Sequence, residues 1–192
     1  MTTTETAQVP ARPDKPADLT ARIAVYPSAE IKPVPSFIFS LPAGWVLDDA
    51  ADSLVVARTA QQVGDFWINA ILSHQRVPRS VDFKQAAQST WARLQRTSPS
   101  AKVTMERLAR FGTNIVYLRG VELEAPNNGR VLAQLHALFF APANDEGKTV
   151  DFFQLVATCP KDVMEQYGPA FIELVGSFRF TSDAATATAT AS

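Results

Sequence analysis

Cysteine and histidine are scarce in this sequence, which contains one cysteine, Cys159, and two histidines, His74 and His136. A lone cysteine excludes a disulfide within the chain and fits a reducing compartment. Thiol and imidazole groups are the usual ligands of zinc and other transition metals, and here they are too few to supply a site by themselves. We therefore expect no metal and no cofactor.

An excess of charge of either sign is also missing. The chain has 18 lysines and arginines against 19 aspartates and glutamates, and its pI is near 6.1. This balance gives no electrostatic reason to expect DNA, RNA or an anionic membrane as a partner. Some arginines stand among apolar residues, where we expect them to lie at solvated strand edges: Arg107, Arg110, Arg119 and Arg130.

Long apolar runs are absent as well. No stretch approaches the roughly 20 apolar residues that span a bilayer as a helix. The opening residues, "MTTTETAQVPARPDKPADLT", lack the basic segment followed by an apolar one that is typical of a signal peptide. We expect a protein with no integral membrane segment and a cytoplasmic location.

The two ends of the sequence have no apolar periodicity. Thr, Pro, Ala and charged residues dominate the start, and the last residues read "SDAATATATAS". Such segments cannot bury enough apolar surface to offset the entropy lost on ordering. The sequence predicts a disordered tail over 1–24, one α+β domain over 25–181, and a disordered Thr/Ala tail over 182–192.

Catalytic motifs are missing too: we find no G-x-S-x-G, G-x-x-x-x-G-K-[ST], G-x-G-x-x-G or H-E-x-x-H. A small buried residue is the interpretation that its neighbours favour for Cys159, because none of them supplies a base. His136 in "LAQLHALFF" is expected to be hydrogen-bonded within its strand, and "DDAAD" (48–52) to form a solvated turn. We predict that the protein is not an enzyme and has no catalytic residues.

The remaining pattern alternates between strand and helix periods. "SLVVART" (53–59) and "DFWINAILSH" (65–74) are rich in β-branched and aromatic residues and predict strands. Asp82, with Gln85 three residues later, predicts a capping box that begins a helix. An apolar stripe at helical spacing follows: Phe83, Ala86, Ala87, Thr90, Trp91 and Leu94.

A meander of strands comes next, over about 102–111, 114–124, 130–141 and 150–158. "FGTN" (111–114) and "APNNGR" (125–130) predict short hairpins, and Asn128-Gly129 favours a type I′ turn. Pro160 suits the first position of a last helix that ends near 177, with a kink at Gly168-Pro169. Short hairpins and segregated helices predict an α+β domain with an antiparallel sheet.

The domain opens with "PSFIFSLPAGW" (35–45), in which Phe37, Phe39 and Leu41 alternate with Ser36, Ile38 and Ser40. This pattern predicts the first strand of the sheet over 37–41, a tight turn at 42–44, and Trp45 as a core anchor. At the other end, "SFRF" (177–180) is expected to close an edge of the same sheet.

A resemblance to a known group rests on three stretches: F-x-F-x-L-P-x-G-W at the start, "GRVLAQLHALFF" in the meander, and "VDFFQLVATCPKD" before the last helix. With them the chain resembles the PsbP-like domains, a group that includes DcrB-like proteins, Ran-binding Mog-type proteins and chaperones of type VI secretion effectors. It is most similar to the actinobacterial LpqN/LpqT lipoprotein family, over roughly residues 25–180. Those lipoproteins carry a signal peptide and a lipidated cysteine near the start, whereas the cysteine here is Cys159.

The resemblance implies an antiparallel sheet sandwiched by helices (α/β/α) and a non-enzymatic binding function. Two functions stay open. The first is a protein-binding module, an intracellular adaptor or chaperone linked to secretion or the cell envelope. The second is a small-molecule or lipid-binding protein of the LpqN type. A deep apolar pocket would favour the second, and an open apolar groove the first.

The strand patterns also predict where a partner binds. In two strands one alternating set is wholly apolar and should face the main core, beginning with Phe66 in one and Val131 in the other. The other sets mix aromatic, amide and imidazole groups, a composition that suits a partner unless a helix covers them. The predicted partner-binding residues are Trp67, Asn69, Ile71, Gln134, His136 and Leu138.

Overall fold

A computed structural model describes residues 27, 32–126, 128–142 and 147–181. Judged by contacts between Cα atoms, the chain consists of two units, one ending at Pro33 and the other beginning at Val34. Every helix and strand of the described residues lies in the second unit. The predicted tails, 1–24 and 182–192, lie outside the described residues, and so does most of the predicted 143–149 hairpin. Neither described helix is long and apolar enough to cross a membrane.

The described part of the chain contains nine strands and two α-helices. In chain order they are β1 (Phe37–Ile38), β2 (Trp45–Asp48), β3 (Val55–Thr59), β4 (Asn69–Pro78), α1 (Phe83–Thr97), β5 (Lys102–Phe111), β6 (Asn114–Glu124), β7 (Val131–Phe140), β8 (Thr149–Pro160), α2 (Met164–Ser177) and β9 (Arg179–Phe180). Seven of the strands form one antiparallel sheet in the order β2-β3-β4-β8-β7-β6-β5. The predicted α+β class is confirmed.

One face of the sheet, which we call the α2 face, carries the main core. Phe171, Leu174 and Val175 of α2 are fully buried against it. The apolar sets predicted to face the core do so, from Ile68 onward in one strand and from Ala133 to Phe139 in the other. Trp45 is the predicted anchor, with its ring 6.2 Å from that of Phe171 in an edge-on arrangement.

The opposite face, which we call the α1 face, is partly covered by α1. Asp82 caps this helix as predicted: its carboxylate accepts the Gln85 backbone N–H at 2.8 Å, and the Gln85 side chain accepts the Asp82 N–H at 3.1 Å. The whole predicted stripe of α1 is turned away from solvent and packs on β6, β7 and one end of β8. With a helix on each face, the predicted sandwich is confirmed.

The predictions for both ends of the sheet were wrong. Only Phe37–Ile38 of 37–41 is a strand, and it pairs with Arg179–Phe180 in a separate two-stranded ribbon, so "SFRF" closes no edge of the main sheet. The reason is aromatic packing. The Phe37 ring lies 5.4 Å from that of Phe178 and 5.9 Å from that of Phe153, which holds the ribbon on the α2 face.

Three local predictions also differ from the structure. The 65–74 strand begins at Asn69, because residues 63–66 form a small turn closed by an antiparallel bridge, with Gly64 at a φ of 65°. Of Asn128-Gly129 only Gly129 has a positive φ, so this is not a type I′ turn, which needs both. Pro160 ends β8, and a 3₁₀ turn, Lys161–Val163, precedes α2, which continues through Pro169.

Candidate functional site: an uncovered strip of the sheet

The α1 face is divided into a covered and an uncovered half. Over β3, β4 and the middle of β8 the side chains on this face are at least partly open to solvent; Trp67 is 38% exposed and Ile71 is 42% exposed. We call this half the open strip, and strand alternation with the observed register assigns its residues: Leu54, Val56, Trp67, Asn69, Ile71, Ser73 and Val156. It is a largely apolar and amide surface, and the register places Arg58 on the same face.

Trp67 is held in a fixed position on this strip. The Arg58 guanidinium lies over its ring, 4.2 Å from the centroid, at a distance that allows a cation–π interaction. Arg58 is itself anchored, because its Nε donates to Asp48 Oδ2 at 2.7 Å, and this bond lowers the pKa of Asp48. Asn69 Nδ2 donates to the Trp67 carbonyl at 2.8 Å. The indole is therefore a preorganised platform.

A line of polar side chains runs between the open strip and α1. Its centre is His136, whose Nε2 lies 2.8 Å from Gln134 Oε1 and whose Nδ1 lies 3.4 Å from Gln154 Nε2. Gln134 Nε2 in turn donates to Thr158 Oγ1 at 3.2 Å. Burial, and then the nearby positive charge of Arg119, lowers the pKa of His136 to about 4. The imidazole is neutral at physiological pH, donating through one nitrogen and accepting through the other.

The predicted partner-binding residues all lie on the α1 face of the sheet, but only some of them are accessible to solvent. Trp67, Asn69 and Ile71 lie on the open strip, with β8 between their strand and β7. Gln134 is half-buried in the polar line. His136 and Leu138, at 4% and 1% exposure, are buried next to or under α1. The accessible site therefore consists of Trp67, Asn69 and Ile71 together with their neighbours on β3 and β8.

Arg119 was wrongly predicted to lie at a solvated edge: it is 4% exposed. Its Nε donates to Glu106 Oε1 at 2.7 Å, and one terminal nitrogen donates to the Ala87 carbonyl at 3.0 Å and to the Tyr117 hydroxyl at 3.2 Å. The Tyr117 hydroxyl and the Arg119 guanidinium lower the pKa of Glu106. The sequence did contain a signal for this burial: Arg119 alternates with Tyr117 and Val121 on one face of β6, and α1 covers that face.

The remaining candidates for chemistry are structural. Cys159 is buried, its Sγ lies 3.6 Å from Met164 Sδ, and burial followed by the Asp162 charge raises its pKa to about 11. A thiol with this pKa is protonated at neutral pH and is a poor nucleophile. Asp52, at a φ of 65°, lies in the exposed turn predicted for "DDAAD". Within the described ranges no three His, Cys, Asp or Glu residues group as metal ligands do.

Comparison with known proteins finds similarity in structure alone. No protein-family model matches the chain, and no curated protein matches its sequence. Among solved structures, LpqN of Mycobacterium tuberculosis, described as involved in cell envelope biogenesis, superposes with a TM-score of 0.63 at 14% identity. That match covers 77% of this chain and 84% of LpqN.

Two further structures share the architecture. The cyanobacterial PsbP of Synechocystis sp. PCC 6803 matches with a TM-score of 0.53 at 13% identity, over 76% of this chain and 86% of its own. The Ran-binding protein Mog1p of Saccharomyces cerevisiae matches with a TM-score of 0.50 at 13% identity, over 78% of this chain and 97% of its own. Identities this low show the fold alone. The chain has the PsbP- and Mog-like α+β fold, and its likeness to LpqN is one of structure.

Proposed function

We propose that this protein is a non-enzymatic protein-binding module, a cytoplasmic adaptor or chaperone, and that its partner docks on the open strip. The observation that carries the proposal is the uncovered half of the α1 face, where Trp67, just before β4, and Ile71, on β4, are exposed to solvent. Tryptophan is among the residues that contribute most to binding at protein interfaces. The Arg58 guanidinium over the indole adds a polar rim to an apolar centre.

The shape of the open strip fits an amphipathic helix of the partner. Neighbouring strands lie about 5 Å apart, so β3, β4 and β8 present a strip about 10 Å wide between the outer strands. A helix with its side chains has a diameter of about 10 Å. On the covered half of the same face, α1 already packs in this way, with an apolar stripe against the strands. A partner helix would lie beside α1 and complete the layer.

Two structural neighbours support a binding function, and each description applies to that protein. Mog1p is named for binding Ran, a protein, on the same architecture. LpqN is described as involved in cell envelope biogenesis, which supports a link to secretion or the envelope. The second candidate is small-molecule or lipid binding of the LpqN type. A cleft of about 530 Å³ beside α1, with Phe83, Trp91 and Leu108 among its lining residues, favours it.

Affinity capture from the native cell tests the proposal. Ile71→Asp and Trp67→Ala baits should lose a partner that the wild-type bait retains. Ile172→Asp is the matched control, because Ile172 is exposed to the same 38% as Trp67 but lies on α2. Trp67→Ala should cost only about 1 kcal/mol in the free energy of unfolding, the value of a cation–π contact at an exposed site.

Two results would contradict the proposal. Retention of the partner by Ile71→Asp would show that it binds elsewhere. A loss of about 3–5 kcal/mol in Trp67→Ala would show a buried tryptophan instead of an exposed anchor. Native mass spectrometry separates the second candidate: a bound lipid or small molecule that survives Ile71→Asp would favour the cleft and the LpqN-type function.

A further inference from the structure

The sheet ends on one side in a long strand that has no further neighbour in the described part of the chain. β5 pairs only with β6, and it extends over ten residues, whereas the strand at the opposite edge, β2, has four. An edge strand presents unpaired N–H and C=O groups, which can pair with another chain unless the edge is protected. β5 is therefore the edge at which an added strand can form most hydrogen bonds.

The protection of this edge is limited to its first residues. The register of β5 against β6 shifts between Val103 and Met105, and Thr104 bulges over Gly120. A side chain at Gly120 would have its Cβ 2.6 Å from Thr104 Oγ1, so Thr104 would have to shift to admit it. From Met105 to Phe111 the pairing is regular. This regular half leaves an uninterrupted edge.

An apolar groove lies beside this regular edge. α1 covers the neighbouring strands but stops short of β5, which leaves the cleft of about 530 Å³ beside the helix. Leu108, on the α1 face of β5, is 61% exposed. Apolar side chains of α1 and β5 line the cleft together with polar ones, and the lining residues are Phe83, Lys84, Gln88, Trp91, Val103, Glu106, Leu108, Tyr117 and Arg119. An extended peptide added to β5 would place alternate side chains on the α1 face, next to Leu108 at the margin of this cleft.

The charges around the edge are positive and without ion pairs. Lys84 at the cleft and Lys102, Arg107 and Arg110 on β5 form no salt bridge within the described ranges, whereas the acidic residue of β5, Glu106, is engaged by Arg119. Arg107 points to the α2 face, whereas Leu108 and Arg110 point to the α1 face, because successive side chains alternate. A bound strand with acidic side chains on the α2 face and apolar side chains on the α1 face would match Arg107 and Leu108, and the charge of Arg110 would add to the attraction for an acidic strand.

We propose that β5 and α1 form a second binding site, which takes an extended acidic segment of a partner protein as an additional strand of the sheet. This mode of recognition obtains affinity from main-chain hydrogen bonds and specificity from alternate side chains. A second copy of this chain fits less well, because two β5 strands would bring their unpaired lysines and arginines together. The site lies at the opposite end of the sheet from the open strip, so this proposal is independent of partner docking there, although it uses the cleft named above for the second candidate function.

Fluorescence polarisation with a labelled heptapeptide of alternating leucine and glutamate tests the site. We expect binding that weakens at least about tenfold, or 1.4 kcal/mol, in the double variant Arg107→Glu, Arg110→Glu. Lys148→Glu is the control for charge reversal elsewhere: it reverses one charge, where the double variant reverses two, at an exposed site before β8, three strands from β5, and should leave the affinity unchanged. Ile71→Asp should also bind normally, which separates this site from the open strip.

Backbone methylation of the peptide tests strand addition directly. In a paired strand only alternate N–H groups face the neighbouring strand. Of two peptides, one N-methylated at every leucine and one at every glutamate, one should lose binding and the other should keep it. Circular dichroism of each protein variant shows that it is folded.

Several results would overturn the proposal. They are no binding at millimolar peptide, equal binding of both methylated peptides, and equal binding of a leucine/lysine peptide. A further one is a dimer in sedimentation velocity that Leu108→Asp dissociates, since this would show β5 occupied by a second copy.

Discussion

One row of side chains crosses the α1 face of the sheet and joins its two halves. The register aligns Arg119, His136, Val156, Ile71 and Val56 on five neighbouring strands. The first two are buried at 4%, Val156 is half-buried, and Ile71 is 42% exposed. The strands continue across this row while the burial changes, so the difference comes from where α1 lies.

The contrast between the two strands that carry the predicted partner-binding residues makes the same point. β4 and β7 both alternate an apolar set with a mixed one, and both apolar sets face α2. The mixed set of β7 contains Leu138 and Phe140, which pack on Ala86 and Ala87 of the helix. The mixed set of β4 has no helix over it within the described part of the chain. The pattern of a strand therefore indicates which of its faces lies against the main core. It does not indicate whether the other face is buried as well.

The largest expected effect tests this contrast with a matched pair of deletions. Leu138→Ala, under α1, should cost about 2–5 kcal/mol in the free energy of unfolding, because it leaves a cavity in a packed layer. Ile71→Ala, on the open strip, should cost about 0.5 kcal/mol, in the range of surface substitutions. Chemical denaturation of both variants provides the measurement, and equal losses would remove the distinction between the halves.

The second prediction concerns pH and the polar line at the boundary. The pKa of His136 is about 4 in the folded protein against 6.5 for a free histidine, so below pH 6.5 the unfolded state takes up a proton that the folded state does not. Stability should therefore be complete above pH 6.5 and fall between pH 6.5 and pH 4, by a total on the order of 3 kcal/mol.

Denaturant midpoints at a series of pH values follow this loss. His136→Gln removes the titrating group and should flatten the curve over that window, even if its stability at neutral pH is lower. An unchanged slope in the variant would show that other groups are responsible. Glu106, whose pKa is lowered below 4.5, contributes only at the acid end.

The smallest expected effect concerns the N-cap of α1. Asp82→Ala removes the N-cap, leaving the backbone N–H of Gln85 without its acceptor, and should destabilise the protein by about 1 kcal/mol. Ser89→Ala, on the exposed side of the same helix, should be neutral or slightly stabilising, because alanine is the better helix former. Thermal unfolding of the pair gives the comparison. A loss in Ser89→Ala as large as in Asp82→Ala would argue against capping as the cause.

Much of the fold could be predicted from local sequence. The meander strands, the Asp82–Gln85 capping box, the α1 stripe and the Trp45 anchor all depend on patterns within about fifteen residues, and all are present. The chain ends were wrongly predicted because Phe37 and Phe180 pair across the whole length of the domain. No local period indicates which distant strand completes a ribbon.

The site was harder to predict for a related reason. Exposure of Trp67 and burial of Leu138 depend on the position of a helix that neither strand contains. Arg119 shows the same limit, because a charged residue between apolar neighbours looks solvated until its partners, Glu106 and the Ala87 carbonyl, are brought near it by folding. Strand alternation correctly predicted which side chains share a face of the sheet. It could not predict which part of the α1 face the helix covers.

The β1–β9 ribbon places the two ends of the folded domain side by side. Phe37 pairs with Phe180, and the Thr181 N–H donates to the Ser36 carbonyl at 2.9 Å. Paired Cα atoms in antiparallel strands lie about 5 Å apart, so a linker of a few residues can join positions 36 and 181. Topologically the domain is close to a ring, and new ends could be opened at the Gly112-Thr113 hairpin. A force applied at positions 36 and 181 would meet the ribbon's hydrogen bonds one after another, so the domain would unzip from this point.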